Sequence, residues 1–427
     1  MGTAAVAAVM ASIFLWGVFS SRFERADLTA PIAFVGVGAL LVWLGLVNGA
    51  PAPETFRPLV EATLVWVLFS DAARVPVRDL REDLGRCLRL LGIGLPLTIL
   101  AGWGLAAWLF PQGGVWLALL IGAALAPTDA ALGVPVVTNP VVPARIRRLI
   151  TVESGLNDGI ATPVVVLALA GAAAAEGLAG SPGAGSALAE LAIGALVGVA
   201  AGVLGGALLK LSRGRGWTAE DFAGIAVLAL ALAAYTLALI SHGNGFVAAF
   251  VAGLTFGAAA GPRGKSELLF LEQTSGLFSL LVWMLFGATA VPIVVDRLTL
   301  GSIVYAVLSL TLVRMVPVAL ATIGAGLDRR TVLFVGWFGP RGLASLVFAL
   351  LAVEQLGSSA AQAVSVIAVT VALSVIAHGA SAGPLAARYG RAAAAQGVEP
   401  GGHAADLPVR GLPGRSWRHR GRRPSSR

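Results

Sequence analysis

The chain has 427 residues, of which 57% are hydrophobic and only 12% charged, with a formal net charge of +8. A soluble domain carries about 25% charged residues, so this composition excludes an ordinary water-facing fold and points to one solvated by lipid. The single cysteine, Cys87, excludes an internal disulfide and a cysteine-based metal site within the chain, and the basic excess sits in short loops and a tail, where membrane topology explains it better than nucleic-acid binding.

A membrane-spanning helix needs about 20 mostly apolar residues. Apolar runs between polar breaks predict thirteen spans, at residues 4–20, 29–49, 57–73, 89–110, 114–139, 150–173, 187–209, 219–240, 244–260, 267–294, 299–324, 331–353 and 361–386. The chain thus reads as an all-α polytopic membrane protein. The first run lacks a basic leader and a cleavage site, and is read as a retained helix rather than a signal peptide.

Ionisable side chains within such spans are expensive, at about 2.5–3.5 kcal/mol each on insertion scales, so each is a functional or paired structural candidate. The third span carries Glu61 near its outer end and Asp71, within Phe69-Ser70-Asp71-Ala72, at the other. Asp71 either faces a central cavity or is an interfacial acid balancing Arg74 and Arg78. In the fifth span, Pro127 removes a backbone donor just before Thr128 and Asp129. A loosened turn beside a carboxylate supplies oxygens for a hard cation, and irregular backbone is tolerated in lipid where it lines a cavity; the alternative is a simple kink with Asp129 paired elsewhere.

The sixth span opens with Glu153-Ser154-Gly155-Leu156-Asn157-Asp158-Gly159. Ser154 and Asp158 share one helix face, and Glu153 and Asn157 an adjoining one. The first face suits ion binding while the other packs against protein; Glu153 also suits the positive end of a helix dipole. The ninth span has the close-packing pair Gly253 and Gly257, common and unspecific in membrane helices. Arg314 lies deep in the eleventh span without an evident partner. The twelfth is interrupted at Gly339-Pro340-Arg341-Gly342, where Arg341 calls for a buried anion such as Glu153. Of the histidines, His242 falls in a loop, His378 on a helix without an acidic neighbour, and His403 and His419 in the tail. No metal-ligand cluster, nucleophile elbow or phosphate loop marks an enzyme.

Loop charge tests the span count. Seventeen of the 30 basic residues follow odd-numbered spans (Arg22 and Arg25; Arg74, Arg78, Arg81, Arg86 and Arg89; Arg145, Arg147 and Arg148; Lys210, Arg213 and Arg215; Arg263 and Lys265; Arg329 and Arg330), and nine lie in the tail. Only Arg57 and Arg297 follow even-numbered spans. This places the N-terminus outside and the C-terminus in the cytoplasm, in a cell (inner) membrane. The fifth and twelfth spans then run in opposite directions, and two interrupted helices so related are a signature of inverted-repeat transporters. Residues 387–427, rich in Gly, Pro, Ser and Arg, read as a disordered basic tail suited to anionic lipid.

Pro127-Thr128-Asp129, followed by the run from Glu153 to Gly159, resembles the monovalent cation/proton antiporters of the NhaP and NHE type. The Gly339–Gly342 break and the Phe69–Ala72 segment resemble that family as well, and the likeness spans about residues 5–386. The resemblance implies core segments at residues 89–175 and 298–386, panel and dimerisation segments at 1–88 and 176–297, and a homodimer. It implies that Asp158, Asp129, Ser154 and the Thr128 main-chain carbonyl coordinate a transported Na+ (or Li+), with Asp71 contributing. Asn157, Glu153 and Arg341 would lock the core. It implies electroneutral exchange of the cation for a proton with no cofactor. K+/H+ exchange on the same fold is the ranked alternative, and transport of a small organic anion a more distant one.

Overall fold

The computed structural model describes residues 3–25, 29–47, 53–74, 83–129, 132, 134–137, 139–177, 184–261 and 265–395. Arg78, Arg81, Arg263 and tail residues 396–427 lie outside the described residues. Among those described, every regular element is helical, and they form thirteen passes. These are α1 (Thr3–Arg25), α2 (Ala30–Trp43), α3 (Pro53–Ala73), α4 (Leu84–Leu109), α5 in two pieces (Gly114–Ala124 and Val134–Val137), α6 (Ala144–Ala175) and α7 (Ala184–Gly214). There follow α8 (Glu220–Ile240), α9 (Gly245–Ala259), α10 (Lys265–Arg297), α11 (Leu300–Ala321), α12 in two pieces (Arg329–Trp337 and Leu343–Leu356) and α13 (Ala361–Ala394). In lipid a helix is the one open-ended element that satisfies its own backbone, which is why apolar length alone located these passes. The two interrupted at mid-span carry Pro127 with Asp129 and Pro340 with Arg341 at the break, whereas α6 stays continuous through Pro163.

Several helices run further than their apolar composition, α4 and α13 among them. α4 begins at Leu84, so Arg86 and Arg89, expected in a loop, lie on its first turns. Their side chains account for it. The Arg86 Nε donates to the Ala325 carbonyl at 3.0 Å, and Arg89 donates to the Ile323 carbonyl, so both answer backbone acceptors just past α11. Arg86, Arg145 and Arg148 also converge on Asp83, a buried acid that hydropathy does not single out. α13 continues to Ala394, into the stretch expected to be disordered tail. Tyr389 holds it there, stacking on Phe334 at 4.1 Å and sharing a 2.8 Å hydrogen bond with Thr331.

Small residues set the spacing of several passes. Gly194, Gly198, Gly202 and Gly206 form one stripe of α7, and a Cβ at each would strike α9 or the residues at its two ends. The Gly253 and Gly257 pair of α9 meets the α3 main chain at Phe69 and Ala73 in the same way. With lipid on the outside there is no hydrophobic drive between helices, so this close approach is where their van der Waals energy comes from. At Gly202 a Cβ would lie 2.3 Å from the Ala252 carbonyl oxygen, whereas at Gly36 it would meet open space. Gly202→Ala should therefore destabilise the detergent-solubilised protein by about 1–3 kcal/mol of overpacking strain, read as a lowered melting temperature. Gly36→Ala should leave the melt unchanged; equal melts for the two variants would contradict the packing.

Candidate functional site

The centre of the molecule is a crossing. The first piece of α5 stops at Ala124 and the second piece of α12 starts at Leu343, and the residues between the pieces of each helix lie against one another. The Asp129 N–H donates to the Pro340 carbonyl at 2.8 Å, and the Leu343 N–H donates to Asp129 Oδ2 at 3.0 Å. In return the Arg341 guanidinium donates to the Ala126 and Pro127 carbonyls at 2.9 and 3.1 Å, and the Ser345 hydroxyl donates to the Ala124 carbonyl at 2.6 Å.

Two of the helix ends are thus matched to the opposite charge. The Asp129 carboxylate caps the positive N-terminus of the second α12 piece, and Arg341 sits at the negative C-terminus of the first α5 piece. The approach needs glycine. A Cβ on Gly342 would lie 2.0 Å from Asp129 Oδ2, and one on Gly339 would lie 2.6 Å from the Arg314 Nε and 2.9 Å from the Thr128 methyl.

This arrangement corrects one expected pairing. Arg341 does not pair with Glu153; Glu153 bonds Arg314 of α11 at 2.6 Å, with both side chains 3% exposed or less. The C-terminal carbonyls of an interrupted helix take the place of the expected carboxylate, and no sequence pattern announces that an arginine will be answered by main chain. Arg314 has its partner by the same finding.

α6 meets the crossing at Thr128. The Asn157 side-chain amide donates to Thr128 Oγ1 at 2.7 Å, and the Thr128 and Ser154 hydroxyls share a hydrogen bond of 2.9 Å. Thr128, Ser154 and Asn157 are all buried, and Asp158, one turn beyond Ser154, is 8% exposed. Ser154 and Asn157, one from each predicted face of α6, are thus held to the α5 break through Thr128, and Asp158 lies one turn on from Ser154. Asp129 is half-buried and its carboxylate is committed in part to the α12 N-terminus.

Asp71 stands one helix away. A Cβ on Gly155 would approach the Asp71 main chain at 3.6 Å, so α3 packs on α6 beside Ser154. Its carboxylate lies 3.9 Å from Arg74, which in turn pairs with Glu272 at 2.6 Å. Arg74 is one of the two bases weighed for Asp71, and it is shared with Glu272; the other, Arg78, lies outside the described residues. Glu61 pairs at 2.8 Å with Arg57, which also reaches Glu354 at 3.0 Å. Sequence reasoning did not find Ser345. It sits three positions past Gly342 on the same half-helix, and a hydroxyl just beyond a helix break is the available signal.

Oxygen donors of this kind, a carboxylate with hydroxyls and a loosened main chain beside it, suit a hard cation or a proton. A buried carboxylate holds either one, so the two compete. The Glu153–Arg314 pair contributes differently: removing one member strands a buried charge. Arg314→Met should destabilise the protein by about 3–5 kcal/mol, and adding Glu153→Leu should recover most of that loss. Thermal unfolding of the two variants checks this, and no recovery in the double variant would mean that the pair acts through other contacts.

Comparisons with known proteins agree in direction. Residues 8–388 match the sequence profile described as sodium/hydrogen exchanger, transmembrane. The chain is 26% identical over 355 residues to the K(+)/H(+) antiporter NhaP2 of Shewanella sp. (strain MR-4), covering 79% of this chain and 60% of that protein. The chain thus spans about three fifths of the length of the curated relatives of this kind. It is 31% identical over 142 residues to the Na(+)/H(+) antiporter ApNhaP of Aphanothece halophytica, covering 33% of this chain and 26% of that one. Among solved structures, the sodium proton antiporter MjNhaP1 of Methanocaldococcus jannaschii at pH 8 superposes with a TM-score of 0.73 at 18% identity, covering 90% of this chain and 98% of that one.

Proposed function

The chain belongs to the sodium/hydrogen exchanger family, and on that premise we propose that it is a secondary antiporter exchanging Na+ or Li+ for H+ across a cell membrane. The observation that carries this reading is the crossing of α5 and α12, which gathers Thr128, Ser154 and Asn157 at one point of the membrane interior, with Asp158 one turn further along α6. In this reading Asp158 is the group that binds cation and proton in turn. Asp129, already tied to the α12 N-terminus, supports the site, Thr128 and Ser154 add oxygens, and Asp71 contributes from α3. Asn157, Glu153 and Arg341 lock the frame.

One carboxylate exchanging one cation for one proton moves no net charge. That avoids the membrane-potential term of about 2.3 kcal/mol per charge per 100 mV, so the exchange is electroneutral. Residues 89–175 and 298–386 act as the moving core, with residues 1–88 and 176–297 as the panel and homodimer contact. The N-terminus lies outside and the C-terminus in the cytoplasm, by loop charge. K+ is the second reading, favoured by the names of the Shewanella relatives, since oxygen ligands serve either ion.

The test is a pH-sensitive dye trapped in inside-out vesicles, with NaCl, LiCl or KCl added in turn. Wild type should dissipate the pH gradient with Na+ or Li+, a response to K+ alone would select the second reading, and no response to any cation would overturn both. Asp158→Asn should abolish exchange, and wild-type rates in that variant would remove Asp158 from the role. Asp129→Asn should raise the apparent KM, and an unchanged value would limit Asp129 to the scaffold. Because proton and cation compete, the apparent KM should rise about tenfold for each pH unit below the site's pKa, with an unchanged maximal rate.

A further inference from the structure

His378, Ser374 and Ser381 form a polar stripe on α13 that the ion site does not use. They are spaced i, i+4 and i+7, one face of a helix, and that face lies along the α12 break. Ser374 and His378 are fully buried. His378 Nε2 lies 2.8 Å from the carbonyl of Trp337, the last residue of the first α12 piece. Its Nδ1 lies 3.1 Å from the Ser374 hydroxyl and 2.9 Å from the Ser374 carbonyl. The Ser374 hydroxyl accepts the Arg341 N–H at 2.7 Å. The Trp337 ring stacks on the imidazole at 5.0 Å and donates its indole N–H to Ser381 at 3.0 Å.

Nε2 faces a carbonyl, which accepts, so this nitrogen donates to Trp337. Nδ1 faces both the hydroxyl and the carbonyl of Ser374, and the same hydroxyl oxygen accepts the Arg341 N–H. The imidazole thus links Ser374, which holds the Arg341 N–H, to the Trp337 carbonyl. The two ends of this link lie on opposite sides of the α12 break, at Trp337 and at Arg341. One side-chain relay therefore spans the interruption and replaces the main-chain ladder that Pro340 and the glycines remove.

We propose that His378, acting through Ser374, is a positioning residue for ion exchange: it sets the distance between the two pieces of α12, and so aims the Leu343 N–H at Asp129 and the Arg341 guanidinium at the α5 carbonyls. The inference rests on the antiporter reading above. Slackening the relay would loosen Asp129 and the Thr128 turn next to it, and the cation would bind less tightly. Helix and lipid packing of α13 would stay as they are, because Ser374 is small and His378 is replaceable by a side chain of similar volume.

The experiment measures apparent KM for Na+, or for K+ if that is the responding ion, in vesicles holding wild type, Ser374→Ala, His378→Leu, His378→Gln and Ser374→Ala with His378→Leu. Melting temperatures are taken in parallel. Ser374→Ala and His378→Leu should each raise KM by about fivefold or more, the scale of a lost buried hydrogen bond. The double variant should be no worse than the more impaired single one, because both cut one chain. His378→Gln, whose amide N–H still reaches the Trp337 carbonyl, should recover to within about twofold of wild type. Wild-type KM in folded Ser374→Ala, multiplied effects in the double variant, or a Gln variant no better than Leu would each overturn the proposal. If His378→Leu does not fold, Ser374→Ala and His378→Gln still decide it. A wild-type protein that answers no cation defeats the antiporter reading instead, which keeps the two failures apart.

Discussion

The structure depends on satisfying half-helix ends within the membrane-spanning layer. An interrupted helix leaves N–H and carbonyl groups without partners, and hydrocarbon supplies none. Here the two interruptions answer each other. The Asp129 N–H goes to Pro340, the Leu343 N–H goes to the Asp129 carboxylate, and Arg341 and Ser345 close the carbonyls of Ala124, Ala126 and Pro127. Glycine at 339 and 342 is a consequence, since any side chain would stand where Arg314 or Asp129 must be. The charges follow from the dipoles: the acid stands at a positive end and the base at a negative one.

The second layer holds α6 to that crossing. Thr128 is bonded by Asn157 and Ser154 from α6, and Glu153, one residue before Ser154, is pinned to Arg314 of α11. Neighbouring positions on one turn of α6 thereby have separate duties. Glu153 is neutralised within the frame, while Ser154 and Asn157 are bonded to Thr128 at the break. A buried ion pair contributes little net stability compared with apolar packing, but breaking it is severe. Such a pair fixes the rotation of α6, and the rotation decides which side chains meet Thr128. Further out, close glycine contacts of α7, α9 and α3 set the walls, and the Asp83 cluster ties the ends of α4, α6 and α11.

Much of this was legible in the sequence because lipid makes the code simple. Apolar length gave thirteen passes, and loop arginines alternated with them. Pro127 and Pro340 marked the interruptions, since a proline at mid-span removes a backbone donor and the charged residue beside it demands a buried partner. The pairing of Ser154 with Asp158 on one face followed from helical period alone. The limits of α4 and α13 were not legible, because Arg86, Arg89 and Tyr389 extend those helices by reaching partners distant in the chain.

The sequence by itself determined which residues had to be buried, which helices had to break, and which acids were too expensive to be incidental. Only the tertiary structure decided who answers whom. Arg341 found main-chain carbonyls, Arg314 took the carboxylate expected for Arg341, Asp129 became the cap of another helix, and His378, unremarkable on its own helix, lies across the α12 break. The physical reason is that composition and period act along one helix, whereas an unpaired hydrogen-bonding group in lipid is satisfied by whichever partner a crossing brings within about 3 Å, and backbone partners leave no mark in the sequence.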